Sequence, residues 1–309
     1  MSEYGFQSFP SMPSIKKFTL PEDRDVLSDV MLSHQRSGRG NSLILKYMKD
    51  LYPVPKEFEK LLYLGQVLQA EGIKQAIHAH RANKPYCMGT LYWQLNDCWP
   101  AASWSSIDYY TSWKALHYFA RKAYQPVILA FIPDDEKIII SVCSDSEQEQ
   151  TVQLSYAIKN FKGEVLEEHT LDTELNPERS VIAATIDKKT MARNYNTKEI
   201  FLEARLVDSK KVIARELYFA DVPKNLHLPE VTLEATIQKS GDELSVELAS
   251  DKLVRNVYLY FEGCNTQFSD NYFDLLPGEK TTVSCKISEE IKVEEKELLI
   301  ISLNDILNP

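Results

Sequence analysis

The chain has 309 residues, 44% hydrophobic and 26% charged, with a net charge of −10 at pH 7. That composition belongs to a folded globular chain of two or three domains and excludes wholesale disorder. The acidic balance, with no run of Lys and Arg against it, argues against a nucleic-acid partner, and no apolar stretch reaches the ~18 residues that span a bilayer.

The first residues, Met1 to Phe6, lack the basic and apolar regions of a signal peptide. They open a segment, Ser2 to Ser11, that is unlike generic surface. A lone Glu is usually a solvated surface residue. Glu3 lies among aromatics and beside Gly5, which also fits a partly desolvated carboxylate. Desolvation makes a carboxylate a better nucleophile, provided that positive or hydrogen-bonding neighbours keep it ionised.

Between Lys56 and Asn83, apolar residues recur at helical spacing (Phe58, Leu61, Leu62, Leu64, Val67, Leu68, Ile73, Ala76, Ile77), after a start signal at Pro53 and Pro55 and before a stop at Pro85. The nearly unbroken apolar run Tyr86 to Leu95 predicts a strand buried on both faces, as in a parallel sheet. A further helix is expected over Trp113 to Tyr124. Helix, buried strand, loop and helix are the grammar of a βα-repeating fold. Gly89 to Pro100 sets Tyr, Trp, Gln, Asn and Asp at the end of the expected strand. Two readings fit: a sugar-facing rim, with aromatic faces for C–H groups and amides or carboxylates for hydroxyls, or a hydrophobic strand running into a polar turn. His34 and His117, in this part of the chain, read as hydrogen-bonded structural residues.

After Gln125-Pro126 the grammar changes. Strand-like runs follow at Val127 to Ile132, Lys137 to Cys143, Thr151 to Lys159, Val165 to Leu171, Val181 to Ile186, Ile200 to Val207 and Val212 to Phe219, with turn chemistry between several. About seven strands in under ~100 residues predict an immunoglobulin-like sandwich. A second is expected from Val231 to Gln238, Glu243 to Leu248, Val254 to Glu262, Thr281 to Ile287 and Leu298 to Leu303, with Asn271 to Glu279 as a connection. The expected domains are 1–125, 126–222 and 223–309. Tyr258, Tyr260, Tyr272 and Phe273 fit either core or a sugar platform. The five cysteines (Cys87, Cys98, Cys143, Cys264, Cys285) lie far apart, without metal-ligand spacing, and read as buried free thiols, with a disulfide as the alternative.

Ser2 to Ser8, Gly89 to Pro100, Trp113 to Ala120 and Phe268 to Gly278 together resemble the β-mannosidases of glycoside hydrolase family 2, in order and over almost the whole chain. The Ser-Glu-Tyr-Gly element points to glycosidases in general, including the sister activities β-galactosidase and β-glucuronidase; Tyr92 to Asp97 points to the mannosidase branch. The resemblance implies an incomplete (β/α)8 barrel, its last two strands and helices, followed by two immunoglobulin-like sandwiches. It implies a retaining exo-β-mannosidase acting on terminal β-linked mannose, with Glu3 as nucleophile, Trp93 lining the terminal sugar subsite, and no cofactor or metal. Asn96 and Asp97 either reach the sugar or cap a turn. Such chemistry needs a second carboxyl group about 5–5.5 Å from the first. In that family it is the Glu of an Asn-Glu pair lying well before the nucleophile, and this chain contains no Asn-Glu dipeptide. The expectation is a C-terminal fragment, inactive alone, whose partners are a β-mannoside and the N-terminal part of the same enzyme. Its half-barrel is expected either to self-associate or to be disordered at the N-terminal end. The competing expectation is non-catalytic: two sandwiches serving as carbohydrate-binding or interaction modules.

Overall fold

The computed structural model describes residues 1–262, 266–287 and 297–308; Cys264, one of the expected thiols, lies outside them. The chain divides into two compact units. One comprises residues 1–4, 74–91 and 120–227, the other residues 5–73, 92–119 and 228–309. Among the described residues no helix is long and apolar enough to cross a membrane.

Residues 1–125 carry α1 (Met12–Ile15), α2 (Asp29–Ser33), α3 (Gly40–Leu51), α4 (Phe58–Ala82) and α5 (Ala115–Ala123). The helical spacing after Pro55 thus gives α4. Gln66 and Gln69 interrupt its apolar face, yet residues 61–70 are all buried. Both amides find hydrogen-bond partners, as buried polar groups must.

The expected buried strand over Tyr86 to Leu95 does not form. Among the described residues, 1–125 contain isolated bridges but no longer strand, and Tyr86, Met88, Leu91, Trp93 and Leu95 are exposed. A strand of a parallel sheet takes its hydrogen bonds from neighbours on both edges. Here the backbone of Gln94 pairs only locally, donating to the Trp104 carbonyl. The segment keeps the period of an extended chain: Thr90, Tyr92 and Gln94 are half-buried and alternate with exposed Leu91, Trp93 and Leu95.

The first unit is built on a β-sandwich. β1 (Val127–Pro133), β2 (Lys137–Ser144) and β5 (Val181–Asp187) form one sheet, in the order β1-β2-β5. β3 (Gln150–Asn160), β4 (Val165–Leu175), β6 (Ile200–Asp208) and β7 (Lys211–Tyr218) form the other, in the order β4-β3-β6-β7. Leu129, Ile138, Ile140, Leu154, Leu202 and Leu206 fill the core, alternating along their strands as the sequence pattern requires. α6 (Lys188–Asn194), not expected from the sequence, starts where the Asp187 side chain accepts the Thr190 amide at 2.7 Å. β6 and β7 join through Ser209 and Lys210, both left-handed (φ 48° and 70°).

On the face of this sheet away from the core, Glu203 is 2% exposed and meets three cations: Lys159 at 2.6 Å, Arg205 at 2.6 Å, and Arg215. Burial alone would raise its carboxyl pKa. The hydrogen bonds from Arg205 and Lys159 and the charges of Arg215 and Lys159 outweigh that and bring it down to about 2.

In the second unit, β8 (Glu234–Ser240), β9 (Glu243–Ala249) and β12 (Lys280–Lys286) pair in the order β12-β9-β8; β10 (Val254–Phe261), β11 (Phe273–Leu275) and β13 (Leu298–Ile301) pair in the order β11-β10-β13. Leu244, Val246, Leu248, Val257, Leu259 and Val283 form their core. α7 (Leu303–Leu307) closes the chain behind a Ser302–Asp305 capping box. Tyr63 of α4 donates to the Asn256 carbonyl at 2.8 Å, and its ring stacks with Tyr272 at 6.0 Å. Tyr258, Tyr260, Tyr272 and Phe273 are all buried, so they serve as core and offer no sugar platform. The cavity beside Tyr258 and Tyr260, also lined by Ser11, Ser112 and Trp113, measures about 20 Å³. That is room for about one water and far too little for a sugar ring.

Candidate functional site

Glu3 belongs to the first unit and is exposed; the partial desolvation expected from its aromatic neighbours is absent from this chain. The residues around it are held. The Met1 ammonium donates to the Gly89 carbonyl at 2.8 Å. The Thr90 hydroxyl donates to the Tyr4 phenol at 2.9 Å, and His80 Nδ1 lies 2.8 Å from the same hydroxyl oxygen. With its proton given to Tyr4, Thr90 accepts from a protonated Nδ1. Burial raises the Tyr4 phenol pKa, opposed by its hydrogen bonds to Thr90 and Tyr124, and burial lowers that of His80. The backbone carrying Glu3 is thus fixed at the next residue while its carboxylate faces solvent.

Trp93, Asn96 and Asp97 belong to the second unit. Gly5 is required there: a Cβ at that position would sit 2.5 Å from the Trp93 carbonyl oxygen and 2.8 Å from Trp104. The chain continues into an antiparallel bridge between Ser8 and Ser103, with Ser8 N to Ser103 O at 2.9 Å and the reverse at 3.1 Å. α4 holds the same stretch from within. Gln69 Nε2 donates to the Phe6 carbonyl at 2.7 Å and Gln69 Oε1 accepts from Ser8 Oγ at 2.6 Å; Gln66 Nε2 donates to the Phe9 carbonyl at 3.1 Å.

The three residues of the Trp93 segment divide by exposure. Trp93 is 49% exposed and Asn96 is exposed, whereas Asp97 is 5% exposed. Asp97 Oδ2 accepts from Ser103 Oγ at 2.7 Å and Ser105 Oγ at 2.6 Å, and Oδ1 lies 3.4 Å from Gln94 Nε2. Its carboxylate is engaged in folding the loop back on itself. Asn96 pairs with Ile107 in a parallel bridge, which leaves Trp93 and Asn96 facing outward from a braced loop. Lys114, 1% exposed, packs behind it. His117 contacts Ser106 at 3.1 Å, and His34 contacts the Pro100 carbonyl at 2.7 Å while stacking on Phe18. Both are hydrogen-bonded, as the sequence predicts.

Sequence reasoning missed Gln66, Gln69, Ser103, Ser105 and Lys114. A signal existed for the glutamines, since two amides three residues apart on an apolar helix must find internal partners. Among the described residues no group of three His, Cys, Asp or Glu side chains converges as metal ligands do. Cys143 and Cys285 are buried, with thiol pKa values pushed up to about 11 by that burial, whereas Cys98 is exposed and Cys87 is partly so.

Two β-sandwiches of immunoglobulin type, one in each unit, account for the strands among the described residues. Residues 136–225 match the family described as mannosidase Ig/CBM-like domain, and residues 226–306 match an Ig-fold domain of mannosidases. The β-mannosidase of Capra hircus is 34% identical over 52% of this chain, and β-mannosidase B of Thermothelomyces thermophilus is 27% identical over 97% of it. The crystal structure of β-D-mannosidase from Dictyoglomus thermophilum superposes on 98% of the chain with a TM-score of 0.86 and 26% identity. The chain is thus a homologue of the β-mannosidases, resembling a C-terminal portion of them. It spans 20% of the goat protein, 39% of the fungal one and 37% of the Dictyoglomus chain.

Proposed function

We propose that this chain is part of a retaining exo-β-mannosidase in which Glu3 is the nucleophile. Glu3 would attack the anomeric carbon of a terminal β-mannoside as the leaving-group oxygen takes a proton from a second carboxyl group. Water, deprotonated by that same group, would then release mannose with retained configuration. Trp93 and Asn96 face the sugar. Asp97, whose Oδ2 accepts two serine hydroxyls, is assigned to positioning rather than to sugar contact. Residues 1–125 correspond to the end of a (β/α)8 barrel, with domain boundaries near 125 and 222. The further length that the relatives possess supplies the remaining barrel and covers exposed Leu91 and Leu95. The observation that carries this proposal is the match to the Dictyoglomus β-D-mannosidase over 98% of the chain, with a TM-score of 0.86.

The proposal makes the isolated chain inactive, since general acid–base help alone is worth roughly 10²–10⁴-fold and the sugar pocket would lack most of its walls. The test is hydrolysis of an aryl β-mannoside. The purified 309-residue chain is expected to show no turnover above background. Fused behind the remaining length of the Dictyoglomus relative, it is expected to turn over the mannoside in preference to the matching galactoside and glucuronide, and Glu3→Gln is expected to abolish this. Turnover by the isolated chain that Glu3→Gln removes would refute the inactivity, and an active fusion indifferent to Glu3→Gln would refute the nucleophile.

A further inference from the structure

The Ser8–Ser103 junction is backed by a buried ammonium. Lys114 Nζ donates to the carbonyls of Ser8 and Ser103, each at 3.4 Å. These are the two carbonyls that already accept each other's backbone amides across the bridge, so the ammonium uses their second lone pairs. The charged groups that act on it are Asp97, anchored by Ser103 and Ser105, and Asp108, whose Oδ1 accepts the amides of Tyr110 and Ser112. Asp108 Oδ2 is buried, and the Asp108 carboxyl feels a hydrogen bond from Ser14 and the charge of Lys114. A neutral apolar side chain at 114 would fill the volume but leave both carboxylates without a counter-charge.

We propose that Lys114 is a positioning residue: its buried amino group, a donor to both carbonyls whether charged or neutral, ties the Ser8–Ser103 junction, and through Asp97 the loop bearing Trp93 and Asn96, into one rigid arrangement. The positioning role rests on the assignment of Trp93 and Asn96 as the ligand-facing residues. The tie itself is measurable without any sugar, so its failure and the failure of the mannoside assignment are separate results.

Burial lowers the pKa of Lys114 to about 8 against the opposing attraction of Asp97 and Asp108. Opening the junction returns the amine to water and to its ordinary pKa, so above pH ~8 opening takes up a proton and becomes less favourable as pH rises. A side chain that does not titrate would show no such dependence, and one that merely filled the space could be replaced by Met without loss of protection.

The experiment is amide hydrogen exchange at Ser8 and Ser103 in the intact chain, corrected for intrinsic rates and referred to the core amides of Leu202 and Val246. In the wild type, opening at the two serines is expected to fall about tenfold between pH 7 and pH 9. Lys114→Arg, which keeps the charge but does not titrate, is expected to retain protection at pH 7 with a flat profile. Lys114→Met is expected to be flat and less protected at pH 7. A flat wild-type profile, or a Lys114→Met variant as well protected at pH 7 as the wild type, would overturn the proposal. Where Lys114→Met does not fold, the wild-type and Lys114→Arg profiles decide it alone.

Discussion

Ser8 donates a buried hydrogen bond of 2.6 Å to the side-chain oxygen of Gln69, a residue 61 positions further along the chain. The same amide reaches the Phe6 carbonyl, so one α4 side chain reads both backbone and side chain of the stretch that follows Glu3 and Gly5. Gln69→Met keeps the shape and removes both functions, leaving a buried hydroxyl and a half-buried carbonyl short of partners. Each such orphan costs about 1–3 kcal/mol, and a total near ~3 kcal/mol is expected from urea unfolding with an unchanged slope. Adding Ser8→Ala should recover part of the loss, because it removes one of the two orphans. A double variant less stable than Gln69→Met would disprove this account.

Glu203 makes stability depend on acid. Its folded carboxyl titrates at about 2, below the ordinary glutamate value of 4.5. The group therefore contributes its full stabilisation above pH ~4.5 and loses it as pH falls toward ~2, a total of about 3 kcal/mol. Glu203→Gln leaves Lys159, Arg205 and Arg215 facing one another without the anion. It is expected to be destabilised by roughly 3–5 kcal/mol at pH 7, as when one member of a buried pair is removed. Thermal unfolding of both proteins between pH 7 and pH 2.5 should show the gap closing with acid; a gap of constant size would contradict the assignment.

The sandwiches were legible because strand pairing buries one face and the alternation is written into the residues: Lys137 to Cys143 became β2 with one residue added, and Ile200 to Val207 became β6 likewise. Short helices were not legible, since α6 depends on a single capping contact from Asp187 and not on any period. The Tyr86 to Leu95 run misled for a different reason. Hydrophobicity states what a segment would bury given neighbours and says nothing of where they are, and here alternate residues stay exposed. At the candidate site, Glu3, Trp93 and Asn96 were recognisable as residue types in an unusual setting. The inward turn of Asp97 was not, because it is set by serines six and eight residues later that only folding brings back to it.

The Ser209–Lys210 turn points to an easy gain in stability. Two residues with a Cβ occupy left-handed conformations in a two-residue hairpin, a geometry that Asn-Gly adopts with least strain. The left-handed helical conformation costs an ordinary L-residue roughly 1–2 kcal/mol. Ser209→Asn with Lys210→Gly is expected to raise stability by about 1 kcal/mol, after allowing for the added freedom of glycine in the unfolded chain. The readout is an upward shift in the urea midpoint; a downward shift would mean that the turn is not of this type.

Trp93 and Asp97 should separate cleanly in a stability assay although they lie four residues apart. Trp93 is 49% exposed, so Trp93→Ala gives up little burial and is expected to change unfolding free energy by less than about 1 kcal/mol. A fully buried tryptophan would cost roughly 3–5 kcal/mol. Asp97→Ala removes the acceptor of two buried serine hydroxyls and a counter-charge of Lys114, and a loss near ~3 kcal/mol follows. Asp97→Asn should fall between them, since the amide oxygen still accepts a hydroxyl but carries no charge. Equal losses for Trp93→Ala and Asp97→Ala would show that the tryptophan is itself part of the brace. The wide gap expected here would leave its exposed face free for a ligand and place the work of holding the loop on the aspartate.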